Sequence, residues 1–275
     1  MTRQRLTVLT MAGLLLTSPV LAQFNFSDFS GAGGSLYLNG NAAIVGSALR
    51  LVPATGNQRG SAYHISKQHL SLPGGWTTTF QFRITNPGGI TDPNGYTGAD
   101  GFTFIIQDSS SSALGYLGFG IGYDGIPRSL VVEFDTWNNG SDDNNSSNHV
   151  AVHTRWRDPN SVAATARLGF ADVPFNLEDG QVHTATIAYN GSGQLSITLD
   201  NAPTPLLTVN FNHSDYLSIL DSSGFAWVGF TASTGGAWED IDILNWSFTP
   251  VPEPASCVAL GAGLVALALR RRKRA

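Results

Sequence analysis

Two acids on a strand that otherwise reads as core are the first chemical signal in this chain. In Ser129-Leu130-Val131-Val132-Glu133-Phe134-Asp135-Thr136-Trp137, side chains of an extended strand alternate between faces. Glu133, Asp135 and Trp137 therefore share one face, and Val132 and Phe134 share the other. Carboxylates two positions apart repel each other, and burying them unpaired drives their pKa values up. A bound cation is the simplest remedy. The next residues supply oxygen donors in Asn138, Asn139, Asp142, Asp143, Asn144 and Asn145, then an imidazole in His149. Oxygen donors suit calcium, whereas carboxylates joined by one imidazole suit a transition metal such as manganese. The spacing alone also fits an acidic strand end that runs into a solvated turn.

The elements that must position these residues read as strands. Runs rich in Val, Ile, Phe, Thr and Leu recur at 77–84, 101–107, 130–137, 150–154, 184–189, 194–199, 225–231 and 243–248. Several alternate by twos, and Asn190-Gly191-Ser192-Gly193 between two of them is a hairpin signal. No segment sustains a helical period. Many short strands with such turns predict an all-β fold, a sandwich or jelly roll formed by a single domain over residues 23–249.

Composition narrows the chemistry. The chain has 275 residues, 13% of them charged, with Lys+Arg 15 against Asp+Glu 20 and a net charge of -5. One cysteine, Cys257, excludes a disulfide scaffold and a cysteine-based zinc site. The acidic balance argues against a nucleic-acid partner, which needs a basic face.

Both ends read as addresses. Residues 1–22 have the form of a secretory signal peptide: Arg3 and Arg5, an apolar run over 8–16, and a small-residue cleavage site at Val20-Leu21-Ala22. At the other end, Val251-Pro252-Glu253-Pro254 precedes an apolar stretch (255–269) and the cluster Arg270-Arg271-Arg272-Lys273-Arg274. That stretch is shorter than the roughly 20 residues of a spanning helix, and the basic cluster would stay cytoplasmic. Segment 250–275 resembles the PEP-CTERM sorting signal of Gram-negative bacteria. The resemblance implies export to the cell surface or beyond, transient inner-membrane anchoring, and cleavage by a sorting enzyme; a plain tail anchor is the alternative. Without the two addresses, residues 23–249 keep eight basic and 19 acidic residues, so the body carries a net charge of −11.

The acidic strand also carries a family resemblance. Val132-Glu133-Phe134-Asp135-Thr136-Trp137-Asn138-Asn139, with His149 following, resembles the metal-binding segment of legume-type (L-type) lectins. Three further segments match in the family's order: Ala99-Asp100-Gly101-Phe102-Thr103-Phe104, Leu114-Gly115-Tyr116-Leu117-Gly118, and Gly229–Gly235 continuing to Asp242–Phe248. The resemblance covers residues 24–249 and implies a concanavalin A-like jelly-roll β-sandwich.

Carried over residue by residue, it implies two adjacent ions. Glu133 and His149 would bind a transition metal, manganese or another, and Asp135 would bridge both ions. The Trp137 carbonyl and the Asn139 side chain would bind calcium. The second bridging acid would be Asp143 or Asp142. Asp143 is favoured, although it lies one residue further from His149 than is usual, with Asn144 in the expected place. For the sugar, Asp100 after a cis Ala99–Asp100 peptide would accept from hydroxyls, and Asn139 and the Gly115 N–H would donate. Trp137 would offer an aromatic face, and Gly236 and Ala237 would line the specificity loop. Trp238 could face sugar or anchor its loop. The remaining histidines, His153 included, are expected to be structural.

Three functions compete on these grounds. A metal-dependent lectin would capture a glycan or exopolysaccharide without chemistry, with pairing into a homo-oligomer possible. A glycoside hydrolase on the same sandwich needs two carboxylates across the sugar bond. Here Glu133-Phe134-Asp135 is followed by Thr136, Trp137 and Asn138, so the expected second Glu is missing. A structural or adhesion protein could keep the metals without sugar binding, but Asp100, Gly115 and Asn139 argue against it.

Overall fold

A computed structural model describes residues 24–251; the N-terminal address and the sorting tail beyond Val251 lie outside the described residues. The first strands are short: β1 (Phe24–Phe26), β2 (Leu36–Gly40), β3 (Ala43–Val45), β4 (Ala48–Val52), β5 (Arg59–His64) and β6 (Gln68–His69). The middle of the chain gives β7 (Trp76–Gly89), β8 (Gly101–Gln107), β9 (Ser129–Asp135), β10 (His149–Thr154) and β11 (Arg167–Asp172). There follow β12 (His183–Tyr189), β13 (Gln194–Leu199), β14 (Leu207–Asn210), one short helix α1 (His213–Leu217), β15 (Phe225–Ser233) and β16 (Ala237–Pro250). Among the described residues no helix is long and apolar enough to cross a membrane.

These strands form two antiparallel sheets. One runs β14-β13-β12-β7-β16-β4-β3, with β1 on β16; the other runs β11-β10-β9-β8-β15-β5-β2, with β6 on β15. The alternation of β7 explains the packing: Trp76, Thr78, Phe80, Phe82 and Ile84 are buried, and the residues between them face out. Across the sheets, Phe80 meets Phe230 at 5.0 Å between ring centroids and Phe82 meets Phe102 at 5.0 Å. The chain is thus an all-β sandwich, as its pattern predicts. The hairpin at 190–193 joins β12 to β13, with Gly191 (φ 76°) and Gly193 (φ 106°) in backbone regions that favour glycine.

Strand β9 departs from alternation, because all seven of its residues are buried. Its inner face, with Val132 and Phe134, lies in the sandwich core. Its outer face is roofed by the 108–128 connection, whose Ala113, Ile121, Tyr123 and Ile126 pack with Val131 of β9, Tyr63 and Ile105 into a second apolar cluster. Glu133 and Asp135 share that outer face with Val131. The roof takes the two acids out of water.

Candidate functional site

Strands β8, β9 and β10 lie side by side, and their register assembles the site. Asp135 pairs with Gly101 on one flank and His149 on the other; Glu133 pairs with Thr103 and Ala151. Glu133, Asp135 and His149 are buried, and each offers a ligand atom within 4.8 Å of the others. His149 Nε2 lies 3.6 Å from Glu133 Oε1, and neither ring nitrogen has a hydrogen-bond partner. Tyr123 donates its hydroxyl to Glu133 Oε2 at 2.6 Å.

The turn after β9 brings in the next acid. A single 3-10 turn at Gly140–Asp143 buries Asp143, whose Oδ2 accepts the Asn139 N–H. Asp142 instead accepts the Ala164 N–H at 3.0 Å, and Asn144 accepts from Arg167. Asp143 is thus buried beside the cluster, whereas Asn144 is exposed. Burial pushes the Asp135 carboxyl well above the ordinary carboxylate range, with Asp143 and Glu133 adding repulsion, and burial likewise raises Asp143.

Asp100 lies on the rim of this cluster. The Ala99–Asp100 peptide is cis. Its N–H donates to the Ser233 carbonyl and its carbonyl accepts the Thr136 N–H, so β15 and the end of β9 both hold it. Burial pushes its carboxyl up to about 8, with Glu239 and Asp143 contributing, and Oδ2 has no partner. Trp137 is half-buried, with its N–H on Asp135 Oδ1, while Asn139 is exposed beside Asp143.

Two expectations about loops need correction. The Gly115 N–H is not free to serve a ligand: it donates to the Gly122 carbonyl at 2.7 Å. Glycine is needed there for packing, because a Cβ would come within 2.5 Å of the Asp124 carbonyl oxygen. The glycine that does approach Asp100 is Gly235: a Cβ there would lie 3.3 Å from Asp100 Oδ2 and 3.4 Å from Gly118 Cα. Gly236 is exposed beside Ile90, whereas Ala237 is buried and paired with Gly89 on β7. Trp238 is the anchor of its loop, its indole lying over Gly56, Gly88 and Gly89.

Four site residues escape the sequence reading. His153 is buried with Nε2 at 3.7 Å from Glu133 Oε1 and Nδ1 on the Ser161 carbonyl, so it borders the cluster. The signal was present, since an even spacing from His149 along a strand puts both on one face. Phe119, between Gly118 and Gly120, is 54% exposed on the loop next to Asp100. Glu178 and Glu239 form a buried acid pair behind it. Glu239 Oε1 accepts the Thr136 hydroxyl, and a Cβ on Gly98 would strike Glu178 Oε1. Two adjacent buried carboxyls cannot both ionise cheaply. Burial lifts Glu178 to about 7 and Glu239 well above its ordinary value, where Glu178 adds to the rise.

The residues fit a divalent cation. Glu133, Asp135, Asp143 and Asp100 are all buried, and His149 carries two orphaned nitrogens among them. A buried imidazole without a hydrogen bond, facing a carboxylate oxygen at 3.6 Å, has the donor set of a metal ligand.

Comparison with known proteins agrees with this geometry. Residues 21–258 match the legume lectin domain. The chain belongs to the legume lectin family. Residues 250–273 match the PEP-CTERM protein-sorting motif, which marks the chain for export. Among curated relatives of this chain, lectin DB58 of Vigna unguiculata subsp. cylindrica is 28% identical over 88% of each chain. Among solved structures, the lectin from Bauhinia forficata in complex with GalNAc superposes with a TM-score of 0.67 at 20% identity, over 85% of this chain and 100% of its own. The VIP36 exoplasmic/lumenal domain, in its Ca2+/Man-bound form, gives a TM-score of 0.59 at 14% identity, over 79% and 83%. At those identities the structures speak for the fold.

Proposed function

We propose that the folded body is a calcium- and transition-metal-dependent carbohydrate-binding protein that acts outside the cell, at its surface or in extracellular polysaccharide. The observation that carries this reading is the orphaned His149 ring, buried among Glu133, Asp135 and Asp143 and bordered by Asp100. Glu133, Asp135, Asp143 and His149 would hold a transition metal such as manganese. Asp135, Asp143, Asn139 and the Trp137 carbonyl would hold calcium. The ions supply positive charge that keeps the acids ionised and fixes the 136–143 turn.

This chain's own residues then meet the sugar. Asp100, held by Ser233 and Thr136, accepts from two hydroxyls, and Asn139 donates to one of them. Trp137 and Phe119 offer aromatic faces to the apolar side of a ring. Gly235 leaves the approach to Asp100 open, and Gly236 borders it; Gly115 and Ala237 support these loops from behind. The Bauhinia lectin in complex with GalNAc and the Ca2+/Man-bound VIP36 domain support a sugar as ligand for this fold.

Binding without catalysis is the reading these side chains favour. Trp137 stands where a hydrolase of this architecture would need its second acid, and Glu178 and Glu239 are buried behind Asp100. The signal peptide and sorting tail deliver the body through the inner membrane, where a sorting enzyme releases it. A glycan array probed with purified residues 23–251, with and without chelator, tests this. Among the described residues every strand of both sheets lies within 24–250, which supports this piece as the folding unit. Chelator-sensitive binding that calcium restores is expected. Chelator-insensitive binding of neutral glycans, or release of reducing sugar, would overturn the reading.

A further inference from the structure

A cavity of about 610 Å³ opens at the other end of strand β9. Asp135 ends that strand at the metal cluster and Arg128 precedes its first residue. Seven residues at ~3.3 Å each place the two sites roughly 20 Å apart. Arg128, Arg157, Ser71, Ser218, Ser222 and Ser223 line the cavity, with Leu217 and Leu220 as its apolar part.

The charges in this cavity are unusual for the protein. Two of the body's eight basic residues converge there, although the body carries a net −11. The one acid in the lining, Asp221, is already engaged: Oδ1 accepts the N–H groups of Ser223 and Phe225, and Oδ2 holds the Lys67 ammonium at 2.9 Å. Arg128 spends one end of its guanidinium on Asp108 and the Leu220 carbonyl, which fixes its plane, while its buried Nε has no acceptor. Arg157 is exposed and, among the described residues, has neither a hydrogen-bond partner nor a carboxylate. Ser71 Oγ is bonded to His69 Nε2 at 3.0 Å and Ser218 Oγ donates to the Asp215 carbonyl at 2.6 Å, so a fixed guanidinium and a free one, with the Ser222 and Ser223 hydroxyls beside them, form a cationic and hydroxyl-bearing pocket in an acidic protein.

We propose that this cavity is a second saccharide site, specific for acidic sugars, in which Arg157 and Arg128 bind a uronate carboxylate and the serines bind ring hydroxyls. Planar, forked guanidinium groups match a carboxylate in geometry as well as charge. Leu217 and Leu220 suit the C–H face of a ring, and the volume lies in the usual range for small-ligand sites. A free phosphate or sulfate shares the anionic chemistry but makes no use of the leucines or the spread of serines. The site contains none of the metal-binding acids, so its occupancy does not need the ions and does not rest on the function proposed above.

Titration calorimetry on residues 23–251 in excess chelator tests this with three probes: a glucuronate-containing tetrasaccharide, its carboxyl-reduced neutral counterpart, and inorganic sulfate. The acidic tetrasaccharide should bind, the neutral one at least about tenfold more weakly, and sulfate should not compete at equal concentration. Arg157→Ala should weaken the acidic probe by about tenfold or more, and Arg157→Glu should abolish binding, with chelator-sensitive binding on the glycan array unchanged. Because Arg157 is exposed, neither variant threatens the fold. Ser222→Trp, which fills the cavity, gives a second route to the same loss. Equal affinity for the neutral probe, displacement by equimolar sulfate, full binding by Arg157→Glu, or no binding of the acidic probe would each overturn the proposal.

Discussion

His149 and His153 converge on a single atom: their Nε2 nitrogens lie 3.6 and 3.7 Å from Glu133 Oε1. The His153 Nδ1 donates to the Ser161 carbonyl at 3.0 Å, which leaves the Nε2 lone pair of the neutral ring facing the carboxylate. Burial lowers the His153 pKa, so the neutral form is favoured. An acceptor facing an acceptor calls for a cation between or beside them. A ring whose far nitrogen is fixed by a carbonyl is the usual partner of a metal ligand shell.

His149→Ala is expected to lose the transition metal. His153→Ala should weaken it by ~10-fold to 100-fold, the usual effect of residues that orient metal ligands. Manganese titrations followed by electron paramagnetic resonance measure both. An unchanged manganese affinity in His153→Ala would return that residue to a structural role.

Asp100→Asn keeps the shape of the rim but removes the charged acceptor. Hydrogen bonds to charged groups contribute about 1.5–3 kcal/mol, so glycan affinity should fall by roughly 10-fold to 150-fold. Calcium content, read by atomic emission, should stay the same. Loss of calcium together with sugar would mean that Asp100 belongs to the metal shell.

Gly235→Val tests the opening in front of Asp100. The added side chain starts 3.3 Å from Asp100 Oδ2 and 3.4 Å from Gly118 Cα, and Gly235 does not occupy the left-handed backbone region, so a shift of a few tenths of an ångström in these neighbours accommodates its Cβ. Glycan binding should drop about tenfold or more by obstruction, while the melting temperature moves only slightly. A large thermal loss with normal binding would contradict the placement of Gly235 at the mouth.

The Glu178–Glu239 pair gives a pH dependence of defined sign. Glu178 titrates at about 7 in the folded state against an ordinary 4.5, so between these values the folded state holds more protons than the unfolded one. This contribution to stability is full below about pH 4.5 and is lost as pH rises through 7. Glu178→Gln mimics the protonated form and should remove the loss. Its melting temperature should match wild type near pH 5 and exceed it at pH 8. A constant difference across that range would contradict a shared proton.

Much of this was legible in the sequence because strand periodicity and ligand chemistry are local. Strands β8 and β13 have the bounds the pattern predicts, and Glu133, Asp135 and His149 come together as their residue types require. The early strands β1 to β6 were not legible. Most of them hold two to five residues and take their stability from neighbours such as β16 and β15 rather than from their own pattern. The roof over β9 was equally hidden, since Tyr123 and Ile121 lie in a Gly-rich connection with no period. The commitment of the Gly115 N–H to Gly122 depends on how that connection folds back on itself. Glu178 and Glu239 are 61 positions apart and meet only in the closed sandwich.

In the function proposed above, ions held by the β9–β10 acids support a sugar site at Asp100. Surface plasmon resonance of residues 23–251 on the strongest neutral glycan from the array follows binding while free calcium is titrated into chelated protein. Binding should fall at least about tenfold in chelator and return saturably as calcium is added, since a group that must be ordered by the ion binds sugar only in the loaded form. Binding that is the same at every calcium concentration would contradict it.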